Sequence, residues 1–254
     1  MSVKSIVVVL TCLLWSFPVP GQAFFPEASE VVNQIQKEFR GLQSLQAEIT
    51  FPEDLSMRVF VWHKGESWRQ EWVQERSDRQ AVVGAGVGFG STLLASYPDV
   101  QNFPQPVLNF WYRQPLDSWL QDMGIDTSVM SYQFQANRPC LVLGARYGES
   151  NRAQIWIDKE LHVPRKVVTW KGVRWTWSEY YRVGNFRLPH EARVHLPFGT
   201  SVEMALNWRA VNKNIPEQLF SSEAFADTFS GAGVPEVDSE VYDIFFTQVP
   251  AALP

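Results

Sequence analysis

The chain has 254 residues, of which 45% are hydrophobic and 19% charged, with a formal net charge of −5 and two cysteines. An acidic balance without a basic cluster argues against a nucleic-acid partner and against docking on anionic lipid by charge alone. Two cysteines, Cys12 and Cys140, exclude a disulfide framework.

The N-terminus reads MSVKSIVVVLTCLLWSFPVPGQAFF. Lys4 gives it a positive start. The apolar run at 6–15 is shorter than the ~20 residues a bilayer span needs, and Pro18 and Pro20 break it. Gly21-Gln22-Ala23 places small residues where a signal peptidase reads. The expectation is a secretory signal peptide, residues 1–23, cleaved after Ala23 and delivering the chain to the periplasm. Roughly 230 residues remain, an ordinary size for one β-rich domain. Only Cys140 then survives, in the alternating stretch CLVLGARY, where a buried thiol is the expectation.

Residues 27–47 carry Val31, Ile35, Phe39, Leu42 and Leu45 at helical spacing, with Ser29 as the expected N-cap. Met57, Val59 and Val61 alternate with Arg58, Phe60 and Trp62. After a Lys64-Gly65-Glu66 turn, Trp68, Gln70 and Trp72 alternate with Arg69, Glu71 and Val73. This period of two marks antiparallel strands with one apolar face. In QAVVGAGVGFGST the glycines at 84, 86, 88 and 90 share one strand face. The spacing fits neither G-x-G-x-x-G nor a P-loop. A glycine face admits a close neighbour or permits a sharp bend.

Residues 98–106 read as loop. Residues 107–123 form a second amphipathic stretch with Trp111, Trp119 and Leu120, interrupted at Pro115 and ended by Gly124. Two short helices, or a broken one, are expected as a lid. From Ser131 onward strand follows strand: SYQFQA, CLVLGARY, AQIWID, RKVVTW, VRWTWSEY, HEARVHL and SVEMALNW. One parity is apolar throughout the later ones: Val173, Trp175, Trp177, then Ala192, Val194, Leu196, then Val202, Met204, Leu206, Trp208. Short turns between successive strands imply a meander, and its apolar face must be covered. Residues 230–254 are Gly/Pro-punctuated and acidic, with an apolar patch at 244–246. They read as a tail, an edge strand, or a segment docked on the apolar face.

Four stretches, IWIDKELHVPRKV, WSEYYRVGNFRLPHEARV, VNKNIPEQLF, and the N-terminal helix followed by SLQAEITF, resemble the LolA-like family of bacterial outer-membrane lipoprotein-sorting proteins. The resemblance spans residues 24–229 and is poor over the glycine-rich stretch and 92–130. It implies a mainly β (α+β) fold: an open, incomplete antiparallel β-barrel with helices covering its concave face. It implies further that this face binds acyl chains. In the family's carrier an arginine early in the sheet latches the lid. His63, Lys64 and Arg69 stand in that region, and none is assigned the role.

No motif carries catalysis. The four histidines form no HxxxH or HExxH pair, and GFGST departs from G-x-S-x-G at both flanks. The expectation is a non-enzymatic binder without cofactor or metal. Its wall would comprise Val59, Val61, Trp68, Trp72, Trp175, Trp177 and Met204, with Trp111, Trp119 and Leu120 from the lid. The expected partners are lipid or lipoprotein acyl chains, with an inner-membrane donor or outer-membrane acceptor protein and only peripheral membrane contact. The bland alternative is that these side chains pack on one another as ordinary core. A second functional reading is a sensor that reports occupancy to a protein partner, through the tail.

Overall fold

The structure, a computed structural model, describes residues 26–74, 79–87, 92–97, 103, 116–223 and 237–248. The alternating stretches all become strands of one 12-stranded antiparallel sheet: β1 (Ser44–Phe51), β2 (Asp54–Lys64), β3 (Ser67–Gln74), β4 (Arg79–Val87), β5 (Thr92–Tyr97), β6 (Met130–Gln135), β7 (Arg138–Leu143), β8 (Gln154–Asp158), β9 (Pro164–Val168), β10 (Arg174–Val183), β11 (Phe186–His195) and β12 (Ser201–Val211). The spatial order is β5-β4-β3-β2-β1-β12-β11-β10-β9-β8-β7-β6. Two meanders, β1–β5 and β6–β12, are therefore joined along β1 and β12. The two edge strands, β5 and β6, are consecutive in the chain. In the chain they are joined by the stretch that holds the second helix, α2 (Leu116–Asp122).

One face of the sheet is apolar over most of its width. Phe51 from β1, Val59 from β2, Trp72 from β3, Leu141 from β7, Ile155 from β8, Trp175 from β10 and Met204 from β12 belong to a single buried cluster. Strands so far apart in a sheet can share one cluster only if the sheet curls round it. The first helix, α1 (Ala28–Glu38), buries Val31, Val32 and Ile35 in that cluster, and α2 adds Leu116, Trp119 and Leu120.

Two local expectations need correction. The first helix stops at Glu38 rather than running to 47, and Leu45 lies in β1. Gly41, at φ 85°, turns the chain there, and Leu45 belongs to the strand series Leu45, Ala47, Ile49, Phe51. Its N-cap is Glu27, which makes no side-chain cap bond; Ser29 lies inside the helix. CLVLGARY is likewise not one strand, because β7 ends at Leu143. Gly144 takes φ 98°, and a Cβ there would sit 2.3 Å from the Ala153 carbonyl oxygen. Only glycine fits that turn.

The seam between the meanders is fastened on the outer face. The buried Glu48 carboxylate of β1 accepts from Arg209 of β12 and lies 3.7 Å from Arg58 of β2. Asn212 extends the seam: its Oδ1 accepts from the Gln43 and Ser44 N–H at 2.8 and 3.2 Å, and its Nδ2 donates to the Gly41 carbonyl at 2.6 Å. The closing segment then straps across β1 to β3. Lys64 Nζ donates to the Ile215 carbonyl at 3.0 Å, and Arg69 donates to the Leu219 carbonyl at 2.9 Å. The polar face of β3 is therefore covered, and Arg69 is 6% exposed.

Candidate functional site

The strand pairing places the expected wall residues on one face. Val59 pairs with Trp72 across β2 and β3, and Trp177, Ala192 and Met204 form a row across β10, β11 and β12. Val59, Val61, Trp72, Trp119, Leu120, Trp175, Trp177 and Met204 are all buried in the common cluster. Trp68 is equally buried but stands apart, packed against Phe103 with ring centroids 5.7 Å apart. Trp111 lies outside the described residues.

The glycine face of β4 has a definite neighbour. A Cβ on Gly84 would fall 2.5–2.7 Å from the Phe103 ring. Gly84 and Gly86 lie opposite Gln70 and Trp68, so the bare strand makes room for Phe103 beside Trp68. Gly88 and Gly90 lie outside the described residues.

The apolar face is filled, and part of the filling comes from the far end of the chain. Residues 237–248 form no strand. They make a one-turn helix, α3 (Glu240–Asp243), continued by a π-turn (Ile244–Gln248). Ser239 caps the turn, its Oγ accepting from the Tyr242 N–H at 3.1 Å and donating to Asp54 Oδ2 at 2.6 Å. Gln74 Nε2 donates to the Asp238 carbonyl at 3.1 Å. These bonds hold three aromatic rings over Trp72: Phe245 at 5.4 Å, Phe246 at 5.2 Å and Tyr242 at 6.1 Å between centroids. Phe245 also meets Phe51 at 6.0 Å, and Phe246 meets Phe103 at 5.5 Å. Sequence reasoning did not include Phe51, Phe103, Tyr242, Phe245 or Phe246 in the wall. The signal for the last two was the apolar patch at 244–246.

Polar groups on this face are few. The indole N–H groups of Trp68 and Trp72 are buried and meet no hydrogen-bond acceptor among the described residues. A buried unpaired donor costs about 1–3 kcal/mol. His63 shares the parity of Val59 and Val61 and is 1% exposed; burial pushes its imidazole down to about 3, so it is neutral at pH 7. The wall carries no charge that would repel hydrocarbon.

A cavity of about 320 Å³ lies instead against the polar parity of β10–β12, lined by Thr176, Ser178, Glu191, Arg193 and Glu203, with Trp177 and Met204 at its border. Its polar groups largely bond one another: Ser178 Oγ donates to Glu191 at 2.8 Å, and Arg193 pairs with Glu203. Among the described residues no group of three His, Cys, Asp or Glu is placed to hold a metal. Cys140 is buried, and burial followed by the nearby Asp158 carboxylate pushes its thiol up to about 11. That environment suppresses the thiolate.

No known protein-family profile matches the chain, and no curated protein does. Solved structures do. A LolA superfamily protein from Nitrosomonas europaea aligns at TM-score 0.51 and 13% identity, over 79% of this chain and all (100%) of that one. A DUF1329-family protein from Desulfovibrio piger aligns at TM-score 0.47 and 11% identity, over 79% of this chain and 99% of that one. An outer-membrane lipoprotein-sorting protein domain from Vibrio parahaemolyticus aligns at TM-score 0.47 and 11% identity, over 77% and 96%. The fold is LolA-like.

Proposed function

We propose that the protein is a periplasmic carrier for an acylated hydrophobic cargo, lipoprotein acyl chains or lipid, working in outer-membrane biogenesis. The observation that carries this reading is the docked segment 237–248. It lays Phe245 and Phe246 on Trp72 as a removable guest would lie, on a face otherwise built from strands and helices. An acyl chain could take the same place, because each buried methylene contributes about 0.8 kcal/mol and needs no polar partner. The two indole N–H donors could then serve the ester or amide carbonyl at the head of such a chain. The binding wall in this reading is Val59, Val61, Trp68, Trp72, Trp175, Trp177 and Met204, with Trp119 and Leu120 of α2 as cover, extended by Phe51 and Phe103.

The test is native mass spectrometry of protein purified from its own periplasm, with lipid extraction, alongside quenching of tryptophan fluorescence by a brominated fatty acid. Recovered acyl species and saturable quenching support the carrier. A clean apo mass with no acyl species and no quenching sinks it.

A sensor is the second reading, and the same segment favours it. Its anchors, Ser239 on Asp54 and Asp238 on Gln74, hold the same segment as the rings on Trp72, and would be lost with them if cargo displaced that segment. Occupancy would then be displayed as a freed C-terminus. Deleting residues 230–254 separates the two: loss of a protein partner with cargo binding intact favours the sensor, and no effect on any partner disfavours it.

A further inference from the structure

An antiparallel sheet sends alternate hairpins to the same rim. On one rim the described connections are β1–β2, β11–β12, β9–β10 and β7–β8, which are successive in the spatial order; the β3–β4 connection of the same rim lies outside the described residues. Each carries one large apolar side chain held out in solvent: Leu55 at 74% exposure, Phe198 at 91%, Trp170 at 59% and Tyr147 at 82%. Of the seven exposed large hydrophobics among the described residues, these are the four at or beside the hairpin tips of this rim. Of the other three, Phe134 stands beside the β6–β7 turn on the opposite rim, as Leu55 stands beside the β1–β2 turn on this one, and Leu94 and Tyr181 lie further into their strands. The opposite rim differs. Its described turns pass through Gly65-Glu66, Gly184-Asn185, Lys159-Glu160 and Ala136-Asn137.

Neighbouring tips are two strands apart. At about 4.8 Å per strand they stand roughly 10 Å from one another, an arc on the order of 30 Å from Leu55 to Tyr147. Polar residues separate them, so they make no contiguous patch of the kind a protein hot spot requires. A fluid bilayer interface needs no such continuity, and it favours Trp and Tyr at headgroup depth. Basic side chains flank the tips: Lys171 beside Trp170, with its Nζ 5.1 Å from the ring, then Arg174, and Arg146 beside Tyr147. Acidic groups stand at two of the tips as well, Glu53 and Asp54 beside Leu55 and Glu149 in the β7–β8 connection, so the basic excess is local to Trp170 with Lys171 and Arg174. After burial, Arg174 is the next cause that lowers both Lys166, to about 8, and His195.

The rim also meets the cover of the apolar face. The Trp170 N–H donates to the Met123 carbonyl just past α2 at 3.4 Å, and a Cβ on Gly124 would lie 3.1 Å from Trp170 Cβ. Gly172 brings the two central tips together, its Cβ position 3.6 Å from the Pro197 ring.

We infer that this rim is a membrane-docking edge, with Leu55, Trp170 and Phe198 entering the interface of a lipid bilayer and the adjoining bases meeting its anionic headgroups. The inference rests on the carrier reading for its purpose. A carrier that exchanges acyl chains must bring one edge of its trough to the membrane, and this edge is bonded to the end of the cover.

The experiment is co-sedimentation of the full chain with phosphatidylcholine vesicles, with and without phosphatidylglycerol. The variant is Leu55→Ser/Trp170→Ser/Phe198→Ser; the control is Phe134→Ser/Tyr181→Ser. All five side chains are exposed, and thermal melts check that both variants fold. The inference expects binding that strengthens with phosphatidylglycerol, falls at least tenfold in the rim variant and is unchanged in the control. Absence of vesicle binding by the wild type, or an equal loss in the control, overturns it. Fatty-acid quenching, measured without vesicles, reports the trough separately. Quenching with no vesicle binding removes the rim and leaves the carrier; rim-dependent vesicle binding without quenching does the reverse.

Discussion

Truncating Phe245 should tighten cargo binding. The ring is 3% exposed and packs on Phe51 and Trp72, and a Phe→Ala change in such a place costs about 3 kcal/mol. That loss falls on the docked state of residues 237–248 alone, because a released segment leaves the ring in water either way. If cargo and segment compete for the Trp72 wall, cargo affinity is reduced by the fraction of molecules in which the wall is free. Weakening the segment by about 3 kcal/mol raises that affinity by up to ~150-fold, at 1.4 kcal/mol per factor of ten. The ceiling is the segment's own docking free energy, which Phe246 and Tyr242 also supply. Titration with a brominated fatty acid, read by tryptophan quenching, should therefore show Phe245→Ala binding about 10- to 150-fold tighter than wild type. Exposed Phe198→Ala should match wild type in this assay. Unchanged or weaker binding by Phe245→Ala would refute competition: the segment would then be part of the wall itself, or the wall would take no acyl chain.

Acid should destabilise the protein through His63. Its folded value, about 3, lies below the ordinary 6.5, so the unfolded chain binds the extra proton and stability falls as pH drops from 6.5 toward 3. Between pH 7 and pH 5 the loss from this group is about 2 kcal/mol; denaturant curves of wild type and His63→Leu should differ by that amount in their pH dependence, and parallel curves would contradict the assignment. Asp158 is fully buried, accepts from Arg165 at 3.0 and 3.1 Å and from the Glu160 and Leu161 N–H at 3.0 Å. Asp158→Asn leaves the half-buried Arg165 without its counter-charge and should cost about 3 kcal/mol in urea unfolding; a loss under 1 kcal/mol would mean the turn at 158–163 holds without the pair. Gly84→Ala drives a methyl into the Phe103 ring and should cost about 1–3 kcal/mol, with altered near-ultraviolet circular dichroism from Trp68; an unchanged spectrum would place Phe103 elsewhere.

The strands were legible wherever burial on one face imposed a period of two, as in VRWTWSEY and SVEMALNW. The start of β1 was not, because Leu45 fits both the helical series that begins at Val31 and the strand series Leu45, Ala47, Ile49, Phe51; the positive φ of Gly41 decides between them. The LolA-like fold was legible through motifs that prove to be seam and turn chemistry. Asn212 binds the start of β1, and Asp158 staples the turn before β9. The aromatic wall was visible as parity, yet its assembly was not. Phe51, Phe103 and Phe245 reach Trp72 or Trp68 from three distant parts of the chain, and no local pattern encodes such a meeting. The apolar patch at 244–246 could be noticed, but its destination depends on bonds from Asp54 and Gln74 that spacing does not reveal.

The pairing of β1 with β12 also dictates an order of events during folding. Glu48 and Arg209 clasp the seam across a separation of 161 residues, so closing it costs about 3 kcal/mol more in loop-closure entropy than a short hairpin does. Contacts this distant slow folding. The meanders β1–β5 and β6–β12 can each form from short turns, while their facing edges wait with unpaired backbone. An edge of that kind is a template for a second chain. A chain that ends before Ser201 never supplies the partner of β1 and stays permanently in that state. Emergence of the last strand, rather than of the helices or the aromatic wall, is thus the step that converts two adhesive half-sheets into one finished protein.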